Sequence, residues 1–215
     1  MTNTRALRTL ALPIAALAAV LALSACGTSA NAEDAARPGG SSNSAAGAVG
    51  APAAGDKNEA DVLFATMMIP HHAQAIAMAD LALAQATDAK VKALAAKIKG
   101  AQGPEIARMS GWLTGWGVPI PGPAKESGMA DMPGMSGQTG GMMSTGQMTE
   151  LGAATGPAFD RMFLSMMVEH HQGAVAMAKD QLAQGSNPEA KRLAQSIIDG
   201  QSTEIDEMNS MMASL

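Results

Sequence analysis

The chain of 215 residues holds one cysteine, no tyrosine, two tryptophans and three phenylalanines. A single cysteine excludes an internal disulfide, and so few aromatics exclude a surface that stacks nucleic-acid bases. Cations are scarce too: 14 Lys and Arg stand against 19 Asp and Glu, a formal net charge of −5. That balance argues against a nucleic-acid partner, because phosphate binding depends on a basic surface. The alternating Val, Ile and Thr runs that mark strands are also missing. What the chain has in excess is methionine, 18 of its residues. All four histidines fall in two short segments, Met67-Met68-Ile69-Pro70-His71-His72 and Met166-Met167-Val168-Glu169-His170-His171.

These segments belong to a longer repeat. Adding 99 to 71 gives 170, and the same offset pairs Asp61 with Asp160, Phe64 with Phe163 and Met78 with Met177. It also pairs Gln102 with Gln201, Glu105 with Glu204 and Met109 with Met208. Roughly two in five of about 49 gap-free positions are identical, which marks a duplicated structural unit.

The N-terminus is organised differently. Arg5 and Arg8 precede an apolar run from Leu10 to Leu23, and then comes Leu23-Ser24-Ala25-Cys26. That order of positive, apolar and small-residue regions describes a secretory signal. Cysteine directly after Leu-Ser-Ala resembles the lipobox of bacterial lipoproteins, which implies cleavage before Cys26 and lipid on its sulfur. The mature protein is then expected to be lipid-anchored at the outer face of the bacterial cytoplasmic membrane, or periplasmic. From Thr28 to about Asp56 the chain is Ala, Gly, Ser and Pro, too poor in large apolar residues to order itself. The expected organisation is a signal peptide over 1–25, a flexible tether over 26–56 and a first helical hairpin over 57–116. A Gly/Met-rich linker over 117–156 and a second hairpin over 157–215 follow.

Within each repeat the apolar positions follow helical spacing. Leu63, Phe64, Met67, Met68, Ile76, Met78 and Leu83 mark the first helix; Val91, Leu94, Ile98, Met109 and Trp112 mark the second. Thr87-Asp88 breaks and restarts the helix in the first copy, and Gly185-Ser186-Asn187-Pro188 does so in the second. One hairpin cannot cover its own apolar face, so the expected fold is all-α: a four-helix bundle made of two repeated hairpins.

The chemistry lies on the inner faces. On a helical wheel, His71, Ala75, Met68 and Met78 lie within about 40° of Phe64, with Met67 close by and His72 at the flank. His170, His171, Met166, Met167 and Met177 repeat the arrangement. Imidazole and thioether together suit a soft or borderline ion, copper above all, with Cu(I) favoured and Cu(II) and silver further candidates. Glu105 and Glu204 sit on apolar stripes one turn from Met109 and Met208, and a buried carboxylate needs a partner. They are candidates either to ligate the ion or to fix the histidine tautomer from outside. Asp61 and Asp160 are further candidates, although a carboxylate near a helix start is also explained by the dipole. Met129, Met132, Met135, Met142, Met143 and Met148 form a second, linker-borne set. Such clusters resemble the Met motifs of copper-handling proteins and imply capture of the ion.

The full pattern is Asp61, Phe64, Met67-Met68, His71-His72, Ala75 and Met78-Ala79, then Gln102, Glu105-Ile106, Met109 and Trp112-Leu113. It resembles the domain of unknown function 305 family. The second copy matches from Asp160 to Met208 but has Met211-Met212 where the first has Trp112-Leu113. The resemblance implies a ferritin-like bundle, often exported, with some members binding copper and serving copper resistance. The expected function is therefore extracytoplasmic copper sequestration or carriage, not catalysis, with a copper-donor or copper-acceptor protein as a candidate partner. Two alternatives stand beside it. One is a structural or interaction bundle without metal. The other is a di-iron oxidase, disfavoured because Met68 and Met167 stand where Glu-x-x-His would need glutamate.

Overall fold

A computed structural model of the chain describes residues 55–122 and 140–215. The signal segment, most of the tether, Cys26 and the linker methionines Met129, Met132 and Met135 lie outside the described residues. The described part contains five helices and no strand: α1 Glu59–Gln85, α2 Ala89–Gly115, α3 Thr145–Ala153, α4 Gly156–Gln184 and α5 Pro188–Met212. Helices α1, α2, α4 and α5 form the bundle. α1 packs along α2, α4 along α5, and α1 against α4, whereas α2 and α5 barely touch. By length and hydropathy α1 could cross a bilayer, yet most of it is buried inside the bundle.

The helix starts follow local chemistry. Asn58 and Asp61 close a capping box on α1, each side chain accepting from the other's backbone N–H at 3.1 and 2.8 Å. Asp88 caps α2, and Asn187 caps α5 with Pro188 in the first turn, where a missing N–H costs nothing. α1 runs unbroken through Pro70 and α2 through Pro104.

Two apolar clusters, one at each pole, hold the bundle. One gathers the α1–α2 turn, through Ala82 and Val91, with the start of α4 at Phe159 and Phe163 and the end of α5 at Met208 and Met211. The other gathers Phe64 from the start of α1 and Trp112 and Leu113 from the end of α2 with Met177 of α4 and Leu193 of α5. Each fully buried Leu, Ile, Phe or Met contributes about 1.5–3 kcal/mol. The hairpins thus run antiparallel to one another. α2 ends at the pole opposite to the one where α4 begins, and a 27-residue helix is about 40 Å long. The connection has to travel the length of the bundle, which accounts for its size.

Part of that connection is folded, since α3 lies within the Gly/Met-rich stretch 117–156. Ser144 and Gln147 form a capping box on α3, and Leu151 is fully buried against the first cluster. Met143 is buried there as well, and Met148 packs partly buried beside it. Neither is a freely exposed thioether.

Candidate metal centre

Halfway between the poles, α1 and α4 bring His71 against His170. Their ring centroids are 3.8 Å apart and the planes are tilted by 43°. Both rings are buried, and none of their four nitrogens has a hydrogen-bond partner. The backbone of Gly140 lies beside His71 without hydrogen-bond geometry to it. A neutral imidazole carries one donor and one acceptor, and leaving such groups unpaired inside a protein costs about 1–3 kcal/mol each. Burial, then the neighbouring His72 and His171, pushes the His71 pKa down to about 3. Burial and then His71 push that of His170 well below the ordinary histidine value. Both rings are therefore neutral at physiological pH, the form that offers a lone pair to a metal.

The adjacent histidines face outward from this pair toward α2 and α5. His72 Nε2 lies 2.8 Å from Glu105 Oε2, and His171 Nε2 lies 2.9 Å from Glu204 Oε2. The ring nitrogen on the other side, Nδ1, is buried and unpartnered in both. When Nε2 carries the proton and donates it to the carboxylate, Nδ1 is left with a free lone pair. That is how a carboxylate orients a metal-binding imidazole. Glu204 also has the Lys97 ammonium at 3.7 Å, whereas position 196, which corresponds to Lys97 in the second copy, is Ser196.

Methionines flank the histidines on both sides along the α1–α4 contact. Met78, Met166 and Met167 are buried in one cluster and Met67, Met68 and Met177 in the other, with Met208 in the first and Met109 in the second. Met67 and Met177 also line a small cavity of about 40 Å³ with Ala60, Leu63, Phe64 and Gln181. Among the described residues, no group of three or more His, Cys, Asp or Glu side chains is placed to hold a metal ion.

Asp61 and Asp160 belong elsewhere. Asp61 accepts from the side chains of Gln181 and Ser186 and from the backbone N–H groups of Ser186 and Asn187. Asp160 accepts from the backbone and hydroxyl of Thr87 and the backbone of Asp88. Each aspartate thus clasps the turn of the opposite hairpin. Burial pushes the Asp61 carboxyl up, but the N–H of Asn58, the Gln181 amide and the N–H groups of Ser186 and Asn187 hold it below the usual value. Both aspartates sit ten residues before the nearer histidine of the pair on their own helix, about 15 Å of helical rise.

Sequence reasoning leaves two buried amides without a role. Gln102 has both side-chain polar atoms unpartnered, and Gln201, its counterpart in the second copy, has its oxygen unpartnered. Each lies one turn before the glutamate that holds a histidine, and their exact retention across the 99-residue offset is the signal that marks them.

The model of the DUF305 family, a domain of unknown function, matches residues 61–212. A DUF305 protein from Streptomyces coelicolor, described as secreted, is similar at 32% identity and a TM-score of 0.65, over 72% of this chain and 93% of that one. A DUF305 fragment from Deinococcus radiodurans is similar at 32% identity and 0.64, over 74% and 98%. CopM in its Cu(I)-bound form is similar at 34% identity and 0.59, over 72% and 96%. CopM is also known in Cu(II)-bound and Ag-bound forms. No curated protein matches the chain.

Proposed function

The chain belongs to the DUF305 family, and on that basis we propose that it binds copper outside the cytoplasm, sequestering or carrying it. The observation that carries this reading is the His71–His170 pair: two buried, neutral imidazoles with four unpaired nitrogens at the contact between the two repeats. A bundle needing only stability would fill that position with apolar side chains. His72 and His171, oriented by Glu105 and Glu204, supply further lone pairs, and Met67, Met68, Met78, Met166, Met167 and Met177 supply sulfur. This donor set favours Cu(I), and Ag(I) shares the preference for sulfur. CopM is known with Cu(I), Cu(II) and Ag, which supports copper in either oxidation state and silver.

Export and lipid anchoring at Cys26 are part of the proposal and rest on the N-terminal sequence. The linker methionines Met129, Met132 and Met135 belong to it as capture groups. Glu105 and Glu204 act as orienting partners in this reading, since each is engaged by a histidine. A di-iron centre fits less well. It would draw on clustered carboxylates, and both glutamates are already engaged while both aspartates clasp turns. The test is a Cu(I) competition titration of the mature protein against a chromophoric chelator. The wild type is expected to compete, and His71→Ala with His170→Ala to weaken binding sharply. Equal affinity in the double variant would overturn the assignment.

A further inference from the structure

The four-helix scaffold does not by itself close off the histidine pair. With His71 taken as the reference direction on α1, His72 points about 100° to one side and Gln74 about 60° to the other. His72 meets α2 through Glu105. On the Gln74 side, the cover is the chain segment 140–143. The Gln74 amide donates to the Met143 carbonyl at 2.7 Å and accepts from the Met143 N–H at 2.7 Å. On α4 the position three residues after His170 is Gly173, which corresponds to Gln74 at the 99-residue offset. A Cβ at Gly173 would lie 1.7 Å from the Gly140 oxygen. One at Gly141, where φ is +85°, would lie 2.5 Å from the Glu169 oxygen. The segment therefore crosses both copies at matching points, held by a side-chain clamp on one and a missing side chain on the other.

We propose that residues 140–143 form a strap that opens to admit and release the ion at the His71–His170 pair, with Gln74 and Gly173 as its positioning residues. The rest of the enclosure is helix–helix packing, whose opening would cost part of the bundle. The strap is irregular chain held by two hydrogen bonds, a glycine contact and the buried Met143 side chain, fewer attachments than a bundle helix has, so it opens more easily than the helix–helix seams. It carries Met142, half-buried, and Met143, whose side chain is buried in the first apolar cluster. Met142 and Met143 have no counterparts in the repeat, and the strap gives a nearly two-fold site a single entrance. The transfer role rests on the copper reading; the opening of the strap does not.

The test uses the full mature chain, metal-free, with diethyl pyrocarbonate modification of each histidine followed by mass spectrometry. Gln74→Ala and Gly173→Ala are expected to speed modification of His71 and His170 by about tenfold or more. His72 and His171, on the helix side, are expected to keep their wild-type rates. An equal rise at all four histidines would mean general loosening, and no rise would mean that the strap is not the door; either result overturns the proposal. In a second arm, Cu(I) loss to bathocuproine disulfonate is expected to accelerate in both variants while equilibrium affinity stays within about twofold of wild type. Faster modification with unchanged Cu(I) transfer would sink the transfer role. A wild type that binds no Cu(I) would sink the copper reading and leave the strap to be judged by modification alone.

Discussion

Replacing His71 and His170 together by leucine is expected to stabilise the metal-free protein while removing the proposed ion site. The two rings are fully enclosed and leave four nitrogens unpaired. If each ring forfeits about 1–3 kcal/mol of hydrogen bonding on burial, the pair holds about 2–6 kcal/mol of unfavourable energy. Leucine removes that penalty but fits a space shaped for imidazole, and such swaps usually cost up to about 1.5 kcal/mol each. From the middle of that range, about 4 kcal/mol less about 1–3 for the two swaps, the expected net gain is about 1–3 kcal/mol, or several degrees in melting temperature for a domain of this size. Urea unfolding of metal-free wild type and variant, near pH 7.5, measures it. Adding Cu(I) under reducing conditions should raise wild-type stability, since a ligand of the folded state alone must do so, and should leave the variant unchanged. A variant less stable than wild type by 2 kcal/mol or more would refute the reasoning. It would show that the imidazoles are satisfied and serve the fold.

The metal-free protein should lose stability as pH falls below about 6.5. His71 and His170 are neutral when folded but take up protons when unfolded, so the loss should approach about 2.7 kcal/mol per pH unit, readable from urea midpoints, and the His71 share should level off near pH 3. Asp61→Ala strands the donors of Ser186, Asn187 and Gln181 and should cost about 3 kcal/mol with Cu(I) affinity unchanged, which would separate the turn clasp from the ion site. Leu151→Ala should cost about 2–4 kcal/mol by thermal or urea unfolding; a near-zero cost would mean that α3 is not docked as described.

The bundle is legible in the sequence because apolar spacing and the 99-residue offset point the same way. Phe64, Met68, His71 and Met78 fall on one side of a helical wheel, and that side is the one α1 turns toward α4. The pairing of a glutamate on an apolar stripe with a histidine follows from the cost of an isolated carboxylate, and His72 with the half-buried Glu105 and His171 with the buried Glu204 show it. The roles of Asp61 and Asp160 are less legible. Local pattern places them at helix starts, and Asp61 does cap its own helix, but their main partners lie more than 70 residues away in the other hairpin. Helix α3 hides in a stretch dominated by Gly and Met, where only Ser144 and Gln147 signal a helix start and only Leu151 signals burial. The strap is invisible to periodicity altogether, since it depends on Gly173 lacking a side chain where Gly140 arrives.

The duplication also says why the site lies where it does. When a hairpin packs against its own copy around a two-fold axis, only residues near the axis meet their counterparts. His71 and His170 are such a pair, whereas Asp61 reaches Ser186 and Asn187 while Asp160 reaches Thr87 and Asp88, one relation written twice. A ligand carried by one hairpin would yield two separate half-sites; a ligand on the axis yields one site to which both copies contribute. Fusing the copies then permits what two identical chains could not, namely different residues at equivalent positions. Pro70 faces Glu169 in the alignment, Gln74 faces Gly173, and Lys97 reaches Glu204 while Glu105 has no such cation from Ser196. The paired imidazoles and the methionines beside them are the same in both copies, while Gln74 and Gly173 differ under the strap and Lys97 and Ser196 differ beside the two glutamates. Those are the places where an entrance and a direction of transfer can be built without disturbing the paired imidazoles.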